Sequence, residues 1–409
     1  MLNILWLGFF LWGFVAALWQ WLVLGDQQIF TRIIASTFEM AGLSVEIAIG
    51  LIGVMALWLG LFRIAEYGGL IALLARGMGP LFRRLMPGVP DKHPALGSVT
   101  MNLAANFLGL DNAATPLGLK AMSDLHELNP EKDTASNAQI LFLVLNTSSV
   151  TLLPVTIFLY RAQQGSSEPA AVFLPILMAT SASTLAGLLS VAWIQKLKLR
   201  DPVVFAYFAG FALLMAIMLS SVVGLPADAL ANRSALIGNL LLFSVITLFL
   251  LSGIRRNLDC YSLFVEGAKE GFNVAVRIIP FLLAMLVAIG VFRASGGLDL
   301  LLTGARSMFS MLRVDTAFVD ALPTAFMKPL SGSGARAMML ETMNTFGVDS
   351  FAGRVAATVQ GSTETTFYVL AVYFGSVGIR KARHAIACGL FADFVGITVA
   401  IMASYWFFA

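Results

Sequence analysis

The chain has 409 residues, of which 58% are hydrophobic and only 12% are charged. A soluble domain usually carries about 25% charged residues, so this composition favours a polytopic membrane protein. The net charge of +3 is small. It gives no indication of a nucleic-acid partner, and we interpret the basic residues as markers of membrane topology.

Apolar runs long enough to cross a bilayer, which takes about 20 residues, recur along the chain. The first run has neither the basic start nor the cleavage site of a signal peptide, so we expect it to be retained as a helix. The nine predicted spans are residues 2–24, 38–63, 137–160, 171–195, 203–224, 234–253, 272–293, 355–377 and 384–408.

Clusters of basic residues orient these spans. All four clusters fall on one side if the nine spans alternate and the stretches 94–127 and 316–346 do not cross. The positive-inside rule makes that side cytoplasmic, which predicts a cytoplasmic N-terminus and an outside C-terminus in a bacterial inner membrane. The clusters are Arg76, Arg83 and Arg84; Lys196, Lys198 and Arg200; Arg255 and Arg256; and Arg380, Lys381 and Arg383.

Residues 102–122, NLAANFLGLDNAATPLGLKAM, are too polar to cross a bilayer and too apolar for an exposed loop. The apolar sequence is broken at Gly109, at Asp111 and Asn112, and at Pro116. Asp or Asn can cap a new helix, and Pro is tolerated in its first turn. This pattern predicts two short helices that meet at a tip, a re-entrant hairpin buried in protein.

A second stretch, 316–346, has the same character and breaks at SGSG, residues 331–334, after Pro329. The glycines permit backbone angles that other residues resist, so a second hairpin is predicted. Helix ends at two such tips would bring free N–H groups near the middle of the membrane, where they attract anionic or electronegative groups.

Two of the predicted spans carry a polar interruption. Runs of such residues can unwind a helix, because their side chains compete for backbone partners. The interruptions are Asn146, Thr147, Ser148 and Ser149 in span 137–160, and Gln360, Gly361, Ser362, Thr363, Glu364 and Thr365 in span 355–377.

Glu364 is the sharpest single candidate, because a carboxylate within an apolar span is costly and usually serves a solute, ion or proton path. The alternative is a structural partner for Lys328 or Arg336. Those two cations flank the second tip and would bind a carboxylate or phosphate, or else pair with Glu341 or Glu364.

Other charged residues leave two interpretations open. Asp111 and Asn112 would contact solute or only cap a helix, and Lys120 and Glu341 would pair structurally. Asp393 stands alone in the last span, where it is either a buried structural residue or a site for a proton or ion.

The two halves of the chain repeat the same order of elements. A span is followed by an amphipathic segment, a broken apolar stretch, a span with a polar interruption and a closing span. Four predicted spans lie between the second and the seventh, so the two units would insert in opposite senses. An inverted repeat of this kind is the design of many secondary transporters.

These motifs carry a family resemblance. Residues 36–200, with NLAANFLGLDNAATPLGLKAM and LNTSSVTLLP, resemble spore maturation protein A. Residues 262–409, with FMKPLSGSGARAMM and VQGSTETTFYVLAVYFGSVG, resemble spore maturation protein B. Both belong to the nucleoside recognition, or Gate, group, which includes the membrane domain of the ferrous iron transporter B. The order of elements is similar to that of concentrative nucleoside transporters.

The resemblance implies an all-α fold of two Gate-type units with re-entrant hairpins and unwound helices. Residues 1–35 would form an N-terminal helix and residues 201–261 a connecting helix pair between the units 36–200 and 262–409. In the nucleoside transporters the hairpin tips and unwound helices hold the solute. The matching positions are Asp111, Asn112, Asn146, Thr147, Ser148, Ser149, Ser331, Gly332, Ser333, Gln360, Ser362, Thr363 and Glu364.

We therefore expect a secondary transporter for a small polar organic solute, either nucleoside-like or an anionic metabolite. The candidate coupling ion is H⁺ or Na⁺, the bilayer is the other partner, and a homo-oligomer is a candidate assembly. The alternative is a non-transporting sensor or assembly partner in an envelope process. A lipid-modifying enzyme is not expected, because no nucleophile with a base is evident.

Metal and cofactor motifs are not found in the sequence. Cys260 and Cys388 have no metal-ligand spacing, and the three histidines stand apart. Walker A, GxSxG and HExxH patterns are not found either. We expect no bound metal, no cofactor and no enzymatic activity.

Overall fold

The computed structural model describes residues 2–109, 111–148 and 151–409. These residues are mostly helical, without a β-strand and with one isolated bridge between Thr134 and Lys381. The helices, in chain order, are α1 Leu2–Leu22, α2 Ile29–Gly68, α3 Leu70–Leu85, α4 Pro94–Phe107, α5 Asp111–Glu127, α6 Asn137–Thr147, α7 Val155–Gln163, α8 Phe173–Gln195, α9 Pro202–Ser220, α10 Ala227–Arg255, α11 Cys260–Ala294, α12 Gly297–Met311, α13 Leu322–Met327, α14 Gly332–Phe346, α15 Phe351–Ser362, α16 Thr366–Ser376 and α17 Ala385–Phe408.

Within the described part of the chain, six helices are long and apolar enough to cross a membrane, by length and composition. They are Ile29–Gly68, Pro169–Gln195, Pro202–Ser220, Ala229–Arg255, Cys260–Ala294 and Ala385–Phe408. The other three predicted spans differ. The first is α1, whose apolar part Trp6–Leu22 is shorter, and spans 137–160 and 355–377 are each broken into two helices. The protein is a multi-pass membrane protein.

The same order of helices occurs twice. A long helix leads to a shorter helix, a pair of helices, a second pair separated by a break, and a closing helix. Helices α2 to α8 follow this order, α11 to α17 repeat it, and α9 and α10 connect the two units. The predicted repeat of elements is therefore present, while the opposite insertion of the units in lipid stays a prediction.

The two leading helices are longer than the predicted spans. Helix α2 has 40 residues and α11 has 35, which correspond to about 60 and about 52 Å, against a hydrocarbon core of about 30 Å. The predicted span 38–63 covers only the middle of α2, and span 272–293 leaves out the first twelve residues of α11. Charged residues such as Arg32 and Glu270 lower the hydropathy towards the N-terminal end of each helix, but they do not interrupt helical hydrogen bonding.

Helices α2 and α11 pack antiparallel at very short range. Gly290 lies against Met40, and Gly271 lies against the backbone of Ala56. Residue numbers thus rise on one helix as they fall on the other. Small residues permit this close approach, which is how helices gain packing energy in lipid, where the hydrophobic effect between them is weak.

We expect Gly271→Ala to destabilise the protein by about 1–3 kcal/mol through overpacking. An added Cβ would lie 2.4 Å from the backbone of Ala56. Gly53→Ala in α2 is the matched control, because a Cβ there meets nothing within 4 Å. Thermal unfolding in detergent measures both, and an unchanged midpoint for Gly271→Ala would contradict the close packing.

The closing helices α8 and α17 are also antiparallel. Gln195 Nε2 lies 3.0 Å from His384 Nε2, near the last residues of α8 and the start of α17. Further along, Gly187 lies against Ala392, and Ser183 donates to the carbonyl of Ala392 at 3.0 Å. Both pairs of corresponding helices, α2 with α11 and α8 with α17, thus run in opposite directions.

Loops of the two units meet at two places. The buried guanidinium of Arg161, at the end of α7, bonds Asp349 in the α14–α15 loop at 2.7 Å. The exposed pair of Asp133 and Lys381 joins the α5–α6 loop to the α16–α17 loop at 3.0 Å, and Ala135 donates its N–H to the carbonyl of Lys381. The two contacts are equivalent under the repeat, because α7 corresponds to α16 and the α14–α15 loop corresponds to the α5–α6 loop.

Candidate functional site

The first predicted hairpin is present as α4 and α5. Helix α4 ends at Phe107, and Gly109 has a φ of +71°, a left-handed conformation that suits glycine. Asn102 in α4 donates to the carbonyl of Ala114 in α5 at 2.7 Å. This hydrogen bond ties the two arms together beside the tip.

One detail of the predicted tip is wrong. Helix α5 begins at Asp111, so Pro116 lies inside the helix and not in its first turn. The side chains of Asp111 and Asn112 lie outside the described part of the structure, and their predicted contact with solute stays a prediction.

The second predicted hairpin is present as α13 and α14, separated at residues 328–331. Ser331 is the N-cap of α14, and its Oγ accepts from the N–H of Gly334 at 3.0 Å. The hydroxyl of Ser333 lies 3.3 Å from that of Ser331. Gly332 approaches the hydroxyl of Thr365, since an added Cβ would lie 2.9 Å from it. This tip therefore touches the polar interruption of the second unit.

Both predicted polar interruptions break their helices. Helix α6 ends where the carbonyl of Val144 accepts from the side chains of Thr147 and Ser148 at 2.9 and 2.8 Å. Helix α15 ends where the hydroxyl of Ser362 donates to the carbonyl of Val359 at 2.7 Å. This is the competition for backbone partners that the composition of these segments predicts. Ser149 lies outside the described residues.

Backbone hydrogen bonds join the hairpins and the broken helices into one centre. Leu152 donates to the carbonyl of Phe107 at 3.0 Å, which ties the first tip to the first break. Phe367 donates to the carbonyl of Pro329 at 3.1 Å, which does the same in the second unit.

The two breaks also meet each other. The N–H of Glu364 donates to the carbonyl of Thr147 at 2.8 Å, and the hydroxyl of Thr184 in α8 donates to the carbonyl of Ser148. The structure thus brings together the segments that carry these predicted site residues: Asn146, Thr147, Ser148, Ser331, Gly332, Ser333, Ser362, Thr363 and Glu364.

A buried asparagine–tyrosine network extends this centre. Asn106 donates to the amide oxygen of Asn146 at 2.8 Å, and the hydroxyl of Tyr373 lies 3.4 Å from both Asn146 and Asn102. Asn102 and Asn146 are buried. The ring of Tyr373 is stacked on Phe142 with centroids 5.6 Å apart. The sequence patterns did not predict Asn102, Asn106 or Tyr373 as site residues. Asn102 and Asn106 lie four residues apart in an apolar segment, which was a usable signal.

Glu364 is exposed, whereas Thr363 and Thr365 on either side of it are buried. No ion pair to its carboxylate is formed within the described part of the chain. Both interpretations of Glu364, as a functional carboxylate and as a structural partner for Lys328 or Arg336, stay predictions. Gln360 is buried, and its Oε1 has no hydrogen-bond partner among the described residues.

Two other predicted pairings take different partners. Glu341 bonds Arg293 at 2.9 Å and accepts from Thr345, so it belongs to a contact between α11 and α14. Lys120 pairs with Asp124 one turn away, at 3.2 Å. Both contacts are structural.

A surface cleft of about 640 Å³ lies elsewhere, between the end of α8 and the start of α9. It is lined mainly by apolar residues such as Leu189 and Trp193, with Lys198 and Asp201 at one side. None of the predicted site residues contributes to it. We therefore place the candidate site at the polar centre, where buried polar atoms converge.

Comparison with known proteins points in the same direction. A family model described as nucleoside recognition, Gate, matches residues 48–163 and 275–380, more than half of the chain. Spore maturation protein B of Bacillus subtilis (strain 168) is 44% identical over 158 residues, which cover 39% of this chain and 87% of that protein. Spore maturation protein A of the same organism is 38% identical over 189 residues, which cover 46% and 93% respectively.

These two similarities are consistent with a chain that fuses an A-like and a B-like protein. No solved structure matches the chain.

Proposed function

The chain belongs to the nucleoside recognition (Gate) family, and from that premise we propose that it is a secondary transporter. It would move a small polar organic solute, nucleoside-like or an anionic metabolite, across a bacterial inner membrane by alternating access. In this proposal the N-terminus is cytoplasmic and the C-terminus lies outside.

One observation carries the proposal: the two broken helices meet through the hydrogen bond from Glu364 to Thr147. Irregular backbone within apolar segments is tolerated where it is buried in protein or lines a cavity. The exposed carboxylate of Glu364 at this junction is costly against lipid tails, so it supports an opening that admits water or solute. Discontinuous helices at the interface of two repeats are where secondary transporters bind their substrates.

The packing of corresponding helices supports the same proposal. If α2 and α11 both cross the membrane, their antiparallel contact requires the two units to enter it in opposite senses. The same holds for α8 and α17. Movement of one bundle against the other would then expose the centre to one side at a time.

We expect Glu364→Gln to reduce solute flux at least tenfold while leaving the protein folded. The carboxylate is exposed, so its neutral isostere removes the charge with little change in packing. Flux is measured in proteoliposomes with radiolabelled solutes chosen by a thermal-shift screen of nucleosides, amino acids and dicarboxylates.

Glu270→Gln is the matched control for this experiment, because Glu270 is an exposed carboxylate on α11 outside the polar centre. It should transport at the wild-type rate. Full activity of Glu364→Gln would show that the carboxylate has no part in transport.

A non-transporting sensor or assembly partner is the second candidate function. It is favoured by the names of the two relatives, which describe spore maturation and not transport. Thermal stabilisation by a solute without any flux in proteoliposomes would support this alternative over the transporter.

A further inference from the structure

The side chain of Asp393 in α17 is almost completely buried, with an exposure of 1%. Its Oδ2 accepts from the hydroxyl of Thr366 at 2.7 Å. Its Oδ1 has no hydrogen-bond partner among the described residues. A buried carboxylate oxygen without a partner is costly, and such residues in membrane proteins usually mark an ion or proton path.

Thr363 lies against the same carboxyl group. It is also buried, and its Oγ1 forms no hydrogen bond within the described residues. Its methyl group packs towards Gly396, one turn along α17, while that of Thr366 packs towards Gly389. The carboxyl group of Asp393 thus lies beside both ends of segment 363–366, the break that carries Glu364.

The pair of Asp393 and Thr363 accommodates a proton more readily than a metal ion. An ionised Oδ1 would accept from the hydroxyl of Thr363, whereas a protonated Oδ1 would donate to Thr363 Oγ1. A hard cation such as Ca²⁺ takes about six to eight oxygen ligands. The described residues contain no group of three or more His, Cys, Asp or Glu side chains that could hold a metal.

The charges that face Asp393 leave room for one proton. Lys328 and Glu364 are the charged groups within electrostatic reach of its carboxyl group. With both carboxylates ionised and the lysine protonated, the three side chains sum to one negative charge. Binding of one proton to the buried Asp393 brings the sum of the three charges to zero, which a low-dielectric surrounding favours.

The helices packed against α17 add little further charge near Asp393. Helices α6, α8 and α16 contain no Asp, Glu, Lys or Arg, and α16 carries Tyr368 and Tyr373. Arg354 of α15 lies over the ring of Phe408 at the far end of α17. The charged residues of α10 lie towards its ends: Asp228, Arg233 and Arg255.

We propose that Asp393 reversibly binds one proton, and that this proton is the coupling ion of the transport proposed above. The coupling half of this inference rests on the proposed function, whereas the proton site itself does not. Proton binding turns Asp393 Oδ1 from an acceptor into a donor towards Thr363 and so changes the contacts of the segment that carries Glu364. Solute at Glu364 and the proton at Asp393 would therefore influence each other through residues 363–366.

Infrared difference spectroscopy tests the proton site directly, because a protonated carboxylic acid has a C=O stretching band that a carboxylate lacks. The purified protein is titrated from about pH 4 to about pH 9, a range that begins near the ordinary pKa of a carboxyl group and extends well above it. We expect a band that disappears as the pH rises in the wild type and is lost in Asp393→Asn. Asp91→Asn, at an exposed loop residue, should retain it.

Two further variants keep Asp393 in place and test the assignment by the direction in which the midpoint of the band moves. Lys328→Met removes a positive charge and should move the midpoint of the band to higher pH. Glu364→Gln removes a negative charge and should move it to lower pH. The proton site would be overturned if the spectrum of Asp393→Asn kept every band of the wild type. It would also be overturned if Na⁺ stabilised the wild type and Asp393→Asn abolished that stabilisation.

The coupling half is tested by flux. In proteoliposomes an imposed proton gradient should drive accumulation of solute by the wild type, whereas Asp393→Asn should only equilibrate it. Flux that ignores the proton gradient, with the infrared band intact, would overturn the coupling but not the transporter. Absence of any flux, with the band intact, would overturn the proposed function and leave the proton site standing.

Discussion

Replacing Arg161 with methionine should lower the free energy of unfolding by about 2–4 kcal/mol, because it removes a fully buried guanidinium and leaves its acceptors without a donor. The side chain is fully buried. It donates to the carboxylate of Asp349 at 2.7 Å, to the carbonyl of Val348 at 3.0 Å and to that of Pro169 at 3.1 Å. It also bonds Ser166 and the carbonyl of Glu168. Methionine fills similar volume but satisfies none of these acceptors.

The second contact between the units provides the matched control. Lys381 and Asp133 form an ion pair at 3.0 Å with side-chain exposures of 68% and 55%. Exposed pairs contribute about 0–1 kcal/mol, so Lys381→Met should have little effect. Denaturant unfolding in detergent measures both variants. Equal losses of stability would show that burial of Arg161 does not determine the strength of the contact.

We expect Gly109→Ala to destabilise the first hairpin by about 2–5 kcal/mol and to impair any activity of the polar centre. A left-handed residue with a Cβ costs about 1–2 kcal/mol. The new Cβ would also lie 2.6 Å from the carbonyl oxygen of Leu153 in the first break, and overpacking adds about 1–3 kcal/mol. Either the tip or the break has to shift, and the bond from Leu152 to Phe107 would be strained.

Gly97→Ala in α4 is the control for this substitution. An added Cβ there meets nothing within 4 Å, and the residue lies inside a helix. Alanine should stabilise the helix by about 0.5–1 kcal/mol. Thermal unfolding should therefore shift in opposite directions for two alanine substitutions in the same hairpin. A harmless Gly109→Ala would mean that the tip does not lie against residue 153.

Sequence patterns were sufficient for the helical fold and for the places where helices break. Apolar runs, the glycines at the two tips and the hydroxyl-rich segments in spans 137–160 and 355–377 act through neighbouring backbone, so their effects can be predicted locally. The same patterns underestimated the lengths of α2 and α11, because hydropathy indicates which residues tolerate lipid and not where a helix ends.

Partners distant in sequence could not be predicted from these patterns. Glu341 was open to pairing with Lys328 or Arg336, yet it bonds Arg293 in another helix. The network of Asn102, Asn146 and Tyr373 spans both units, so the contact of the asparagines with Tyr373 could not be predicted from either segment alone. Asp393 was recognised as an isolated acid, but only the fold showed that it lies beside the break that carries Glu364.

By itself, the sequence determined that this chain lives in a membrane, that its elements occur twice and that four segments interrupt its helices. These properties follow from transfer energies and from backbone chemistry within a few residues. Only the tertiary structure decided that the two breaks meet and that Arg161 is buried at a contact between the units. It also decided that one oxygen of Asp393 lacks a hydrogen-bond partner among the residues described. Those facts depend on which helices pack together, and packing is decided by side-chain shapes and charges hundreds of residues apart.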